Sequence, residues 1–87
     1  MNKYLIEFLG TFALTFAILY IHHYLAIIAF ISVIYFFDLS ILGGRFNPAI
    51  AIAYLATGKI SSTEIIPFIL SEIAGALAGV QLVKLIT

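Results

Sequence analysis

The chain has 87 residues, of which 64% are hydrophobic and 9% charged, with a formal net charge of zero and no cysteine. A soluble domain is only about half apolar and about a quarter charged, and a chain this short has too little interior to hide the excess from water. These proportions argue against a soluble enzyme, a basic nucleic-acid binder and a disordered tail, and they leave no disulfide or thiol chemistry to consider.

The first apolar run covers residues 4–21, interrupted only by Glu7, Gly10, Thr11 and Thr15. Its length suits the roughly 20 residues that a bilayer crossing needs. Lys3 ahead of it has the look of a signal peptide. No small-x-small cleavage site follows, however, and a second run begins almost at once, so the segment reads as a retained span. His22 and His23 separate the two runs. Adjacent side chains diverge on any regular element, which suits a polar turn at the membrane surface better than a metal site. The second span is expected over residues 24–42, with Asp38 and Ser40 closing it. Neither has a catalytic partner at helical spacing, so intramembrane protease chemistry has no support. Tyr4, Tyr20, Tyr24 and Tyr35 lie near predicted span ends, where aromatic anchors collect.

Gly43-Gly44-Arg45-Phe46-Asn47-Pro48-Ala49 comes next, then an apolar stretch over residues 50–56 and the break Thr57-Gly58-Lys59. Asn47 is a good N-cap, Pro48 suits the first helical position and Gly58 suits the C-terminal end. The spacing predicts a helix over about residues 47–57, near 16 Å long. Such a helix is too short to cross a bilayer and too apolar for water, which points to a re-entrant half-helix. A last span is expected over residues 65–86. The chain therefore reads as one all-α membrane domain over residues 1–87: three transmembrane helices plus one re-entrant half-helix, multi-pass in a cell membrane.

Two stripes mark protein-facing surface. Glu7, Gly10, Thr11, Leu14 and Thr15 share one helical face, and Glu72, Gly75, Ala76 and Gly79 share another, bordered by Ser71. Carboxylates and hydroxyls are costly against lipid, and the small residues Gly10, Gly75 and Gly79 allow close helix packing. The two carboxylates could serve proton chemistry. The favoured reading is structural: an irregular loop at membrane depth needs partners for its backbone, and Glu7, Glu72 and Thr11 can supply them.

Together these pieces resemble the aquaporin and glycerol-facilitator family, the major intrinsic proteins. Asn47-Pro48-Ala49 is similar to the family's signature tripeptide, with Gly43-Gly44-Arg45-Phe46 before it. Glu7-Phe8-Leu9-Gly10-Thr11-Phe12 is similar to its first-helix motif. Ser71-Glu72-Ile73-Ala74-Gly75-Ala76 resembles its third-helix pattern, with Glu72 in place of a glutamine. The resemblance covers nearly the whole chain. It implies a passive channel rather than an enzyme, without cofactor or metal, for water and small neutral solutes such as glycerol.

Family members carry two inverted repeats whose half-helices meet at the bilayer centre, and this sequence has one. The expectation is that two copies associate antiparallel and that such dimers build a larger oligomer. Lys3, Arg45 and Lys59 would lie on one side of the membrane and Lys84 on the other. If Arg45 sits in the pore, that weak bias permits insertion in both orientations. Alternatives are a half-channel completed by a different chain and a non-conducting membrane scaffold.

By the resemblance, the Asn47 amide faces the pore centre at the positive end of the half-helix, which opposes cations and protons. Carbonyls of Gly43, Gly44, Arg45 and Phe46 form a ladder for water, and Ala49 packs the two tripeptides together. The family's filter arginine corresponds to Ile50, and the matching second-helix position falls near Ile27. This makes the filter more apolar than in a strict water channel and leans it slightly toward glycerol-like or other small neutral solutes, with water remaining the default. Arg45 either supplies charge at each mouth, or it snorkels to the interface or pairs with Asp38.

Overall fold

The structure is a computed structural model that describes residues 2–38 and 46–87, the side chains of 37 and 38 excepted. Among the described residues there are four helices: α1 (Lys3–Tyr20), α2 (Tyr24–Asp38), α3 (Pro48–Ala56) and α4 (Ile65–Ile86). By length and apolar composition, α1 and α4 can each cross a membrane. The second expected span coincides with α2 up to Asp38; its last expected residues, 39–42, lie outside the described part.

Local chemistry sets the helix ends. Asn2 caps α1, its Oδ1 accepting the backbone N–H of Tyr4 at 2.7 Å and of Leu5 at 3.4 Å. Asn47 caps α3, with Oδ1 accepting the Ala49 N–H at 2.7 Å, and Pro48 takes the first helical position, where no N–H is required. At the far end of α3 the N–H of Gly58 meets the Leu55 carbonyl at 3.1 Å and that of Lys59 meets the Tyr54 carbonyl at 2.8 Å. This is a Schellman closure, and it needs the left-handed φ of 77° that Gly58 adopts without a Cβ penalty. The segment over 47–57 is thus a nine-residue helix flanked by its caps, Asn47 and Thr57. Pro67 falls in the first turn of α4, where its missing donor costs nothing.

Helices α1 and α4 run side by side in the same direction. Their N-terminal ends are joined by the Lys3–Glu64 ion pair. One turn on, the Tyr4 and Phe68 rings meet edge to face with centroids 5.0 Å apart. Further along, a Cβ on Gly75 would lie 2.3 Å from the Phe8 carbonyl oxygen, and one on Gly79 would lie 2.9 Å from Thr15 Cβ. The two glycines therefore let the backbones approach more closely than any side chain allows. Helix α3 lies against the N-terminal half of this pair. Ala51, Ile60 and Phe68 form a small buried cluster with Tyr4, Tyr54, Leu55 and Ile65 packed around it.

Candidate functional site

The site is the start of α3. Pro48 to Ala56 is short, and isolated helices below about 12–15 residues are marginal. Tertiary contacts must hold this one, and they act at both ends. The buried cluster grips its C-terminal half. Its N-terminal end is held by α1. The backbone N–H of Phe46 donates to Glu7 Oε1 at 2.8 Å, and the Thr11 hydroxyl donates to the Phe46 carbonyl at a long 3.4 Å. Glu7 is fully buried and Thr11 nearly so. Gly10 and Thr11 are the eighth and ninth residues of the 18-residue α1, so α3 begins level with the middle of that helix.

Phe46 itself is unusual. Its φ of 62° lies in the left-handed region that L-residues avoid, at about 1–2 kcal/mol for a residue with a Cβ. Its ring is buried over Gly10, where an added Cβ would come within 2.1 Å of Cε1. The Tyr35 ring flanks it, with centroids 5.4 Å apart. Tyr35, expected as an anchor at the membrane surface, thus packs beside the loop that leads into α3. Gly10, expected in helix packing, is instead the seat of the Phe46 ring. Gly75 and Gly79 line the contact between helices α1 and α4.

The exposed part of the site comes from the other face of the same turn. Asn47, Ala49 and Ile50 are exposed, Pro48 is half-buried and Ala51 is fully buried, so the first turn of α3 has one face bare and one face packed. The Asn47 side chain turns Oδ1 toward its own helix, and its carbonyl accepts the Ala51 N–H at 2.9 Å. Ile27 is half-buried on α2. Glu72 is fully buried on α4. The Phe46 carbonyl, expected in the water ladder, turns to Thr11 on the packed side. Gly43, Gly44 and Arg45, expected as ladder and mouth residues, lie outside the described residues, as does Ser40. His22 and His23 are exposed between α1 and α2. Among the described residues, an apolar groove along α2 is lined by Ile21, Ala26, Ala29, Phe30, Val33 and Ile34.

Sequence reasoning missed two features. One is the ring of Phe46 in its glycine seat, because nothing in a phenylalanine announces a positive φ. The other is a clasp at the base of α4. Glu64 pairs with Lys3, and its Oε1 accepts both the N–H and the hydroxyl of Ser61, at 2.9 and 3.0 Å. The Lys3 ammonium, followed by the Ser61 donors, holds the Glu64 carboxyl down at a pKa of about 2. The spacing Ser61-x-x-Glu64 is the capping-box signature, the one signal that could have found it.

The comparisons with known proteins agree with one another. The family model for the major intrinsic proteins matches residues 1–87. The glycerol uptake facilitator protein-like 6 of Lactiplantibacillus plantarum is 39% identical over 97% of this chain and 43% of its own length. Aquaporin Z of Brucella melitensis is 31% identical over 99% of this chain and 44% of its own length, and aquaporin Z of Photorhabdus laumondii is 30% identical over 99% and 44%. The chain thus spans less than half the length of these curated relatives. No solved structure matches significantly. The match along the whole chain, together with two apolar helices long enough to cross a bilayer, establishes an integral membrane protein that belongs to the major intrinsic protein family.

Proposed function

We propose that this chain is one half of a passive membrane channel for water and small neutral solutes. In this reading α1, α2 and α4 cross the bilayer and α3 is a re-entrant half-helix. Two halves in opposite orientation bring their α3 N-termini together at the centre. The observation that carries the reading is the placement of Asn47. It caps a nine-residue apolar helix that begins level with the middle of α1, on the bare side of that helix. With Oδ1 committed to the Ala49 N–H, the amide hydrogens of Asn47 are the donors left for the exposed side.

The chemistry follows from that end of the helix. A helix N-terminus carries roughly half a positive charge, and two of them facing each other oppose any cation. A water molecule in the gap accepts from an Asn47 amide and keeps passing. Because its lone pairs are engaged there, it is a poor relay for a proton; aquaporin-type pores in general exclude protons and cations with the positive ends of half-helices. Ala49 packs the two halves together. Ile50, 40% exposed, and Ile27 stand at the filter, where an aliphatic lining admits glycerol-like solutes beside water. Glu7, Thr11 and Glu72 hold the loop and take no part in proton transfer.

The second half is a second copy of this chain run antiparallel, and such dimers gather into a larger oligomer. With Arg45 in the pore, the weak charge bias of Lys3 and Lys59 against Lys84 permits insertion both ways. Reconstituted liposomes test the function. Swelling in water and glycerol gradients above the bare-lipid rate is expected, and it should disappear in Asn47→Leu with oligomerisation intact. Rates equal to bare lipid in both gradients would leave a non-conducting scaffold. A single cysteine at the C-terminus, labelled separately from each side, tests the orientation. Labelling from one side only would assign the second half to a different polypeptide segment.

A further inference from the structure

We infer that Phe46 is the positioning residue of this site: its ring, seated in the notch of Gly10, locks the left-handed turn that aims the Asn47 amide. A bulky residue at a φ of 62° stays there only when its surroundings over-determine it, and such residues cluster at functional sites. Two grips act on the Phe46 backbone, from Glu7 on its N–H and from Thr11 on its carbonyl. Both would serve a glycine equally well. The ring adds what a glycine lacks. It is buried, it fills the space that a Cβ on Gly10 would occupy, with Cε1, Cδ1 and Cζ all within 2.4 Å of that Cβ position, and the Tyr35 ring packs beside it with centroids 5.4 Å apart.

The next residue in the chain is Asn47, exposed and extended with φ −149° and ψ 123°. If residue 46 relaxed to a negative φ, the following peptide would swing about the N–Cα bond. Asn47 would then move by a distance on the scale of the Cα spacing of about 3.8 Å. A binding group has to be held within about 0.5 Å to act, so the lock decides whether the amide is aimed at all. Its use in permeation rests on the channel reading above; its use in fixing Asn47 does not.

The sequence supplies a clean measurement, because Asn2 and Asn47 are its only asparagines. The full chain, labelled with ¹⁵N-asparagine and reconstituted in liposomes, yields two side-chain amide signals, with Asn2 at the α1 cap as internal control. Phe46→Gly and Gly10→Ala should each shift or broaden the Asn47 signal and leave that of Asn2 in place. Phe46→Leu, which keeps an apolar knob in the notch, should stay nearer wild type. The double variant Gly10→Ala/Phe46→Gly should go no further than Phe46→Gly, because the collision needs both partners. Water permeability per folded channel should drop about tenfold in Phe46→Gly, equivalent to about 1.4 kcal/mol. An Asn47 signal unmoved by Phe46→Gly, or shifts that simply add in the double variant, overturns the inference. Should Gly10→Ala not fold, the Phe46→Gly and Phe46→Leu pair still decides it. Wild-type liposomes that do not conduct, with Asn47 responding as stated, refute the channel reading and leave the lock standing.

Discussion

Replacing Gly75 with alanine tests the packing on which the rest of the molecule hangs. The new Cβ would lie 2.3 Å from the Phe8 carbonyl oxygen and 3.1 Å from the Phe12 nitrogen, both backbone atoms of α1. Carbon–oxygen contacts of this kind settle at about 3.3–3.6 Å, so the helices must part locally by about 1 Å. A gap of that size forfeits a quarter to a half of each dispersion well of about 0.1–0.2 kcal/mol. Taken over the 40–60 atom pairs of one well-buried side chain, the middle of these ranges gives a loss of about 3 kcal/mol. Alanine returns up to about 1 kcal/mol of helix propensity relative to glycine, which leaves a net cost of about 2 kcal/mol.

Gly79→Ala should cost less, since its tightest contacts are 2.9 Å to Thr15 Cβ and 3.0 Å to the Phe12 carbonyl oxygen, and the Thr15 side chain can adjust. Leu77→Ala, at a position 62% exposed on the outer face of α4, serves as control and should stay within about 0.5 kcal/mol. Denaturant unfolding of the full chain in detergent, followed by circular dichroism, gives the order directly. Gly75→Ala as stable as Leu77→Ala would mean that α1 and α4 do not approach as closely as the glycines require.

Glu7→Leu should destabilise by about 1–3 kcal/mol, because the buried N–H of Phe46 loses its acceptor, and Glu7→Gln, which retains an Oε1, should lose less in the same denaturation series. Phe68→Ala should cost about 3–5 kcal/mol and raise amide exchange at Tyr54 and Leu55, since the fully buried ring joins α3 to the base of α1 and α4. Glu64 has its folded pKa depressed from 4.5 to about 2, so the clasp contributes fully above 4.5 and is lost as the pH falls through about 2. A carboxyl-carbon NMR titration should find that low midpoint in the wild type and a higher one in Lys3→Met. An unshifted midpoint in the variant would mean that Lys3 is not its cause.

Helix α3 was legible because it carries its own punctuation. Asn47 and Pro48 before an apolar run, and Gly58 after it, set the bounds of α3 to within a residue of the caps observed. Gly75 and Gly79 announced a close approach through spacing alone. What escaped was information that no single segment holds. Gly10 looks the same in sequence whether it admits a helix or a ring, and only the fold brings residue 46 over it, across more than thirty positions of chain. The left-handed φ of Phe46 is offset by that long-range contact, so local propensity could not reveal it. The Lys3–Glu64 pair is of the same kind: half of its geometry, Ser61-x-x-Glu64, is local and readable, and the half that joins α1 is not.

The length of α3 bears on what completes the site. Nine residues at about 1.5 Å each reach about 14 Å, under half of a hydrocarbon core about 30 Å thick. In the proposed channel, parallel copies would place both α3 helices at the same depth and leave the other half of the membrane without one. Antiparallel copies place them end to end, and about 27 Å of helix then matches the thickness that must be crossed. The packed face of α3, with Ala51 and Leu55, is already taken by its own chain, whereas Ala49, Ile50, Ile52 and Ala53 are exposed. A small-residue step at Ala49 beside the Asn47 amide lets a like surface come close, and an aliphatic wall at Ile50 and Ile52 continues it. In the proposed pair, a two-fold axis lying in the membrane plane would set this surface against its own copy. In the proposed antiparallel pair the same axis would bring two Asn47 amides and two positive helix ends to one point, the arrangement that the channel reading requires.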